Sequence, residues 1–318
     1  MIPVSSLAVL LLQGLLIIAI SPLISGIMKK VKAFIQVRRG PNILQPYYDI
    51  AKFLRKDAVI SENTSWIFRA APYVSFAAIL AAGMLVPVYF IGMPLGFAGD
   101  LIAVAYLFAL ARFFTALAAL DAGSSFGGMG SSREMFVASM VEPALMLSIF
   151  AVALNAGSTS IDRITGGVAG MGIGALSPYS LLAFVALFII AIAETARIPV
   201  DNPATHLELT MIHEAMILEY SGRLLAIVEL GAMMKQLLMF SLIANIFFPW
   251  GIAIDLSVAS VAVAIVAFVA KLAFIGTAMA LVESSTAKWR LFRLPELLSF
   301  SLMLSFLAIV SFVILRGG

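Results

Sequence analysis

Apolar residues run through this chain in eight stretches long enough to cross a bilayer, separated by shorter segments that hold most of the charge. A spanning helix needs about 20 mostly apolar residues. Val4–Met28, Ala70–Ile91, Leu101–Leu120, Phe136–Ala156, Tyr179–Ala193, Leu224–Pro249, Ile252–Val282 and Leu297–Leu315 are the expected spans, the fifth being short. Between the first two, Tyr47, Ile50, Ala51 and Leu54 recur at i, i+3, i+4 and i+7, while Asp49, Lys52 and Lys56 fall on the other side. That spacing predicts an amphipathic helix lying in the interface. The start does not read as a signal peptide, because no basic residue precedes the first apolar run and no small-residue cleavage site follows it, so the first helix is expected to remain. The fold class expected is an all-α membrane protein: eight transmembrane helices plus one interfacial helix, in a single polytopic domain over 1–318. Its cytoplasmic loops are expected at about 29–69, 121–135, 194–223 and 283–296. No internal repeat is visible.

Composition agrees with the pattern. The 318 residues are 62% hydrophobic and 12% charged, with a mean hydropathy of +1.09, against about 45–50% and 25% in soluble domains. There is no cysteine, which excludes disulfides, thiolate-held zinc and any iron–sulfur cluster bound by this chain. The net charge of +3 does not imply nucleic acid, since the basic residues are sorted by loop. Fifteen of the 20 fall after odd-numbered spans: Lys29, Lys30, Lys32, Arg38, Arg39, Lys52, Arg55, Lys56, Arg69, Arg133, Arg197, Arg223, Lys288, Arg290 and Arg293. By the positive-inside rule these loops are cytoplasmic and both termini lie outside, in a multi-pass protein of the cytoplasmic membrane.

Charges within or beside the spans are the candidate chemistry. Arg112, Glu142, Glu194, Glu229, Lys235, Lys271 and Glu283 each cost about 2.5–3.5 kcal/mol at a span centre, so they are expected to be paired or wetted. Together they suggest an ion path. Glu229 and Lys235, six apart, lie about 120° from facing each other on a helix, so their partners are expected on other helices or on other subunits. Glu142 immediately precedes Pro143, whose missing N–H loosens the helix and admits a polar neighbour. It is read as a buried functional acid; in a purely structural role, Lys235 or Lys271 would be its partner.

The segment from Glu194 to Arg223 is the densest. It holds the acids Asp201, Glu208, Glu214 and Glu219 together with both histidines, His206 and His213. A helix from Ala204 onward would put Glu208 and Glu219 within about 20° of one face. The two histidines would share a face too, but about 10 Å apart, too far for one metal ion. This acid cluster is expected to handle protons or to dock a partner. The Gly/Ser-rich segment LDAGSSFGGMGSSRE (120–134) lacks the order of a phosphate loop. It is read as a flexible turn, with Ser132, Arg133 and Glu134 capping the next helix.

Four segments carry a resemblance: QVRRGPNILQPYYDIAKFLRKD (36–57), ARFFTALAALDAG with GMGSSREMFVASMVEP (111–143), RIPVDNPATHLELTMIHEAMILEYSG (197–222) and KQLLMF (235–240). In this order, across nearly the whole chain, they resemble membrane subunit 1 of respiratory complex I. The branch is that of group 4 membrane-bound [NiFe] hydrogenases and formate hydrogenlyases, because Asn42 leads directly into Ile43-Leu44-Gln45-Pro46 without the insert found in complex I. Where complex I has an alternating acidic run, this chain has Ala204, His206 and Glu208, so only the third acid is kept. That departure points away from a quinone-coupled acid path.

The resemblance implies a non-catalytic subunit of an energy-converting, ferredoxin- or formate-linked hydrogenase that docks the soluble redox arm and relays redox energy to proton or sodium translocation. Implied partners are the hydrogenase large and small subunits, an iron–sulfur subunit and antiporter-like membrane subunits, and the iron–sulfur clusters and [NiFe] site are expected in those partners. The coupling set comprises Glu142, Glu208, Glu219, Glu214, Asp201, Glu229, Lys235, Lys271 and Arg112. The docking set comprises Arg38, Arg39, Asp49, Lys52, Arg133, Arg197, Arg290 and Arg293. A quinone- or sulfur-reducing relative is the alternative within the family, and a self-contained secondary transporter the alternative outside it.

Overall fold

The apolar runs fold as helices because a backbone in hydrocarbon must satisfy its own hydrogen bonds. The computed structural model describes residues 4–92, 95–96, 99–171, 177–202, 211–253, 255 and 257–316. Its elements are α1 (Val4–Ile35), α2 (Gln45–Leu54), α3 (Trp66–Leu85), α4 (Leu101–Asp121), α5 (Ser125–Ala156), α6 (Ile161–Met171), α7 (Pro178–Glu194), α8 (His213–Ile217), α9 (Gly222–Phe247), α10 (Val258–Ser285) and α11 (Leu294–Arg316). By length and composition seven of these can cross a membrane, and α7 is a shorter apolar helix beside them. The amphipathic helix expected after the first span is α2, entered through Pro46 at its first turn, where proline's missing N–H costs nothing.

Helix α9 is the axis of the bundle. It packs against α1, α2, α3, α7 and α10, and every residue from Gln236 to Phe247 is buried, as expected of a helix that is apolar all round. The connections gather at two ends. At one, Val59 N–H donates to Ser221 Oγ at 2.8 Å, Ser65 N–H to Asp121 Oδ2 at 2.8 Å and Trp289 N–H to Pro199 O at 2.9 Å. At the other, Ile91 N–H donates to Ala253 O at 3.1 Å and Ile161 N–H to Gly99 O at 2.9 Å. The first end carries the basic loops and is called the basic end below.

Prolines inside or just after helices free a carbonyl four residues back, and side chains satisfy three of these. Pro72 frees Phe68 O, which accepts from Tyr220 Oη at 2.9 Å, with the two rings stacked at 4.2 Å. Pro87 frees Gly83 O, which accepts from Gln13 Nε2 at 2.7 Å, and the same amide reaches Val86 O at 2.9 Å. Pro22 frees Ile18 O, which accepts from Ser21 Oγ at 3.3 Å.

The structure corrects several expectations. The Gly/Ser-rich segment is no turn: α5 begins at Ser125, and its cap is Ser124, whose Oγ accepts from Gly127 N–H at 3.1 Å, rather than Ser132. Its glycines permit close packing, since a Cβ on Gly130 would lie 2.9 Å from Ala215 Cβ and 3.0 Å from Ile212 O. Helix α1 continues to Ile35, which puts Lys29, Lys30 and Lys32 on helix. A helix α6 occupies part of the glycine-rich connection between α5 and α7. The continuous helix imagined from Ala204 through Glu219 does not form. Residues 203–210 lie outside the described residues, Met211 is not helical, and α8 covers only His213–Ile217.

Candidate functional site

The site exists because α7 is short. Its 17 residues rise about 26 Å, less than the about 30 Å of a hydrocarbon core. The segment that follows therefore lies within the depth of the bundle, where irregular backbone is tolerated only if it lines a cavity. Helix α7 ends in a left-handed turn at Ala196 (φ 50°). Arg197 N–H donates to Ile192 O at 3.0 Å and Ala196 N–H to Ala193 O at 3.1 Å, the paired bonds of a Schellman cap. That turn aims Arg197 inward.

Just inside the end of α7 is a five-membered ion network drawn from four helices. Arg112 of α4 is its centre: Nη2 meets Glu194 Oε1 of α7, Nη1 lies 3.1 Å from Glu142 Oε1 and Nε 3.7 Å from Glu134 Oε1, both of α5. Lys235 Nζ of α9 lies 2.6 Å from Glu194 Oε2 and 5.9 Å from the centre of the Phe108 ring. Arg112 and Glu194 have side chains 5% and 1% exposed, Glu134 18% and Glu142 52%. Three carboxylates against two cations leave one net negative charge. A chamber of about 90 Å³ opens among Ser75, Thr115, Arg112, Glu134, Glu194 and Lys235.

Toward the basic end lies a vestibule of about 710 Å³, reached past Lys29, Gln36 and Arg38. Lys32 of α1 pairs with Glu283 of α10. Arg197 Nε stands 3.6 Å from Glu283 Oε1, and its Nη2 donates to Gln236 Oε1 at 2.7 Å. Burial brings Arg197 down to about 10, against the pull of Glu214 and Glu229, which leaves it charged near neutral pH. Burial pushes Glu214 above the usual carboxylate range; Glu229 and Asp201 add to that, while His213 and Arg197 oppose it. Asp201 ties the segment together. Its Oδ2 accepts from Ile212 N–H at 3.1 Å and His213 N–H at 3.0 Å, and its Oδ1 receives Lys288 Nζ at 2.7 Å.

The structure brings together Arg112, Glu142 and Lys235 of the expected coupling set, and gathers Asp201, Glu214 and Glu229 around the vestibule. Glu142 is half-exposed rather than buried, and its partner is Arg112 rather than Lys235 or Lys271. Lys235 pairs across helices, with Glu194. Glu219 is exposed in the turn between α8 and α9, so it shares no helix face with Glu208, which lies outside the described residues. Lys271 stands apart, its Nζ buried in α10 without a hydrogen-bond partner among the described residues. Of the docking set, Arg38, Arg39, Lys52, Arg290 and Arg293 are exposed at the basic end, and Asp49 accepts from Gln45 Nε2 at 2.9 Å. Arg133 instead donates to Met211 O at 2.9 Å, and Arg197 faces the vestibule.

Three participants escaped the sequence reading. Glu134 was placed in a cap, because the glycines before it concealed two turns of helix. Lys32 was placed in a loop, because its basic neighbours masked the last turns of α1. Gln236 carries no charge to draw attention, yet its position beside Lys235 on a helix buried all round was a usable signal.

A family model described as NADH dehydrogenase matches residues 7–314. The chain is 36% identical over 301 residues to formate hydrogenlyase subunit 4 of Escherichia coli (strain K12), covering 95% of this chain and 97% of that protein. It is 36% identical over 281 residues to hydrogenase-4 component C of the same organism, covering 88% and 87%. Among solved structures, a chain of the membrane-bound sulfane sulfur reductase, an archaeal respiratory membrane complex, has the same fold, with a TM-score of 0.77, 23% identity and coverage of 95% of this chain and 99% of that one. With a match over almost its entire length and an apolar helical bundle to go with it, the chain belongs to the NADH dehydrogenase family, that of complex I subunit 1.

Proposed function

We propose that this chain is the coupling subunit of a membrane-bound hydrogenase complex of the hydrogenase-4 or formate hydrogenlyase kind. Its basic end faces the cytoplasm, with both termini outside, as the loop distribution of Lys and Arg favours. The exposed arginines of that end, with α2, hold the soluble arm, whose large, small and iron–sulfur subunits carry the [NiFe] site and the clusters. Antiporter-like subunits flank the bundle in the membrane. Charge rearrangement at the arm reaches the vestibule and passes to the network around Arg112, from which protons or sodium ions are moved.

The observation that carries this reading is the five-membered network held at membrane depth beneath an open, charged vestibule. Ionisable groups at that depth are expensive and mark ion pathways. The two Escherichia coli relatives supply the kind of complex. Tagging the chain and purifying it from its native membrane in mild detergent tests the assignment. Nickel- and iron-containing subunits are expected to co-purify, and recovery of the chain without any metal-bearing partner would overturn it. Because the chain has no cysteine, single engineered cysteines test the orientation; labelling of positions 40–60 from outside intact cells would reverse it.

A further inference from the structure

Between the vestibule and the inner chamber stands a thin wall, bordered on both sides by the same five residues: Thr195, Ala196, His213, Val228 and Ala232. Ala196, Val228 and Ala232 are aliphatic, and the Thr195 hydroxyl already donates to Ala191 O at 2.6 Å. His213 is thus the only titratable residue of the wall among the described residues. It is held in place from several sides. Asp201 Oδ2 accepts its backbone N–H at 3.0 Å, Arg133 Nη1 grips Met211 O at 2.9 Å, and Gly130 lets α5 press against Ala215 and Ile212.

We infer that His213 is the proton relay between the two chambers, and that the ion crossing this wall is the proton. This rests on the coupling reading above and gives that reading its ion. The vestibule that His213 borders is also lined by Asp201, Glu214, Glu229 and Arg197; the inner chamber that it borders is also lined by Glu134, Glu194, Arg112 and Lys235. Acids therefore stand on both sides, and the aliphatic wall breaks the path between them. An imidazole closes such a break because each of its two nitrogens can hold or release a proton. A proton taken up at one nitrogen and released from the other leaves the ring as the opposite tautomer, which a ring flip resets. A sodium ion needs several oxygen ligands at once, and the side chains of the wall offer only the Thr195 hydroxyl among the described residues.

The test uses membrane vesicles holding the assembled complex and reads the rate of gradient formation in sodium-free buffer, with and without added imidazole. His213→Phe fills the wall with a ring that cannot titrate. His213→Ala leaves a gap that imidazole can enter from the vestibule. Both variants are expected to slow gradient formation by at least about 100-fold, the lower end of the range for a lost acid–base group, with imidazole restoring His213→Ala but not His213→Phe. A His213→Phe rate equal to wild type would overturn the relay. So would a His213→Ala variant that is fast without imidazole or remains slow with it. Should neither variant accumulate, His213→Gln decides, a slow rate supporting the relay and a normal rate overturning it. A wild-type complex that forms no gradient in any medium fails the coupling reading and takes the relay with it; a wild-type gradient that requires sodium keeps that reading and removes the relay.

Discussion

Replacing Arg112 by Met removes the one group that binds all three carboxylates of the network and raises its excess negative charge from one to two. The structure fixes which contact dominates. Glu142 is 52% exposed, and a pair that open is worth only about 0–1 kcal/mol. Glu134 is reached only at 3.7 Å. Arg112 and Glu194 are both almost fully enclosed, and breaking a buried pair by deleting one partner costs about 3–5 kcal/mol, with the lower end of that range expected here because Glu194 keeps Lys235 at 2.6 Å. Arg112→Met should therefore destabilise the purified chain in detergent by about 3 kcal/mol, and Glu142→Gln by about 0–1 kcal/mol. Arg112→Lys should fall between, since a single ammonium cannot fork to several carboxylates. In a thermal or denaturant cycle, Arg112→Met combined with Glu194→Gln should cost less than the sum of the two changes, with a coupling of about 0.5–3 kcal/mol. Additive effects, or a Glu142→Gln cost equal to that of Arg112→Met, would refute the reasoning.

Tyr220→Phe keeps the stack on Phe68 but leaves the carbonyl freed by Pro72 without its donor, a loss of about 1–3 kcal/mol; in a Pro72→Ala background, where the helix supplies its own N–H, unfolding should show the same change to be nearly neutral. Glu214, held above the usual carboxylate range by burial, binds its proton more tightly folded than unfolded, so its contribution is present in acid and fades as pH rises from about 4.3. Glu214→Gln should accordingly melt higher than wild type at pH 8 and level with it at pH 4. Val37 and Ala196 both hold positive φ, 56° and 50°, where a Cβ costs about 1–2 kcal/mol, so changing either to Gly should raise the melting temperature, and a fall at both would show that the side chains carry more than the strain.

The fold was legible because hydrophobic length is a strong signal: the seven membrane-length helices, the shorter α7 and α2 follow from apolar runs and a seven-residue spacing. What composition concealed was helix content in weakly apolar stretches. Glycines at 127 and 130 serve close packing of α5 on its neighbours, but in sequence they look like flexibility. The site was legible by residue type rather than by partner. Arg112, Glu142, Glu194 and Lys235 stand out as charges in apolar runs, yet which carboxylate meets which cation depends on how α4, α5, α7 and α9 are rotated against one another, and no spacing along one chain encodes that. Depth was hidden for the same reason. Glu142 appears enclosed because of Pro143, but its helix face is turned to the outside of the bundle.

The central claim, that the network around Arg112 couples redox chemistry to ion movement, is tested most directly by the number of ions moved per electron in native membrane vesicles, wild type against Glu194→Gln. The substitution keeps size and hydrogen bonding but removes the carboxylate that joins Arg112 to Lys235. With the complex assembled in both, the account predicts a gradient in wild-type vesicles and a clearly lower ion-to-electron ratio in the variant. An unchanged ratio would contradict it, leaving the network as a structural tie between helices.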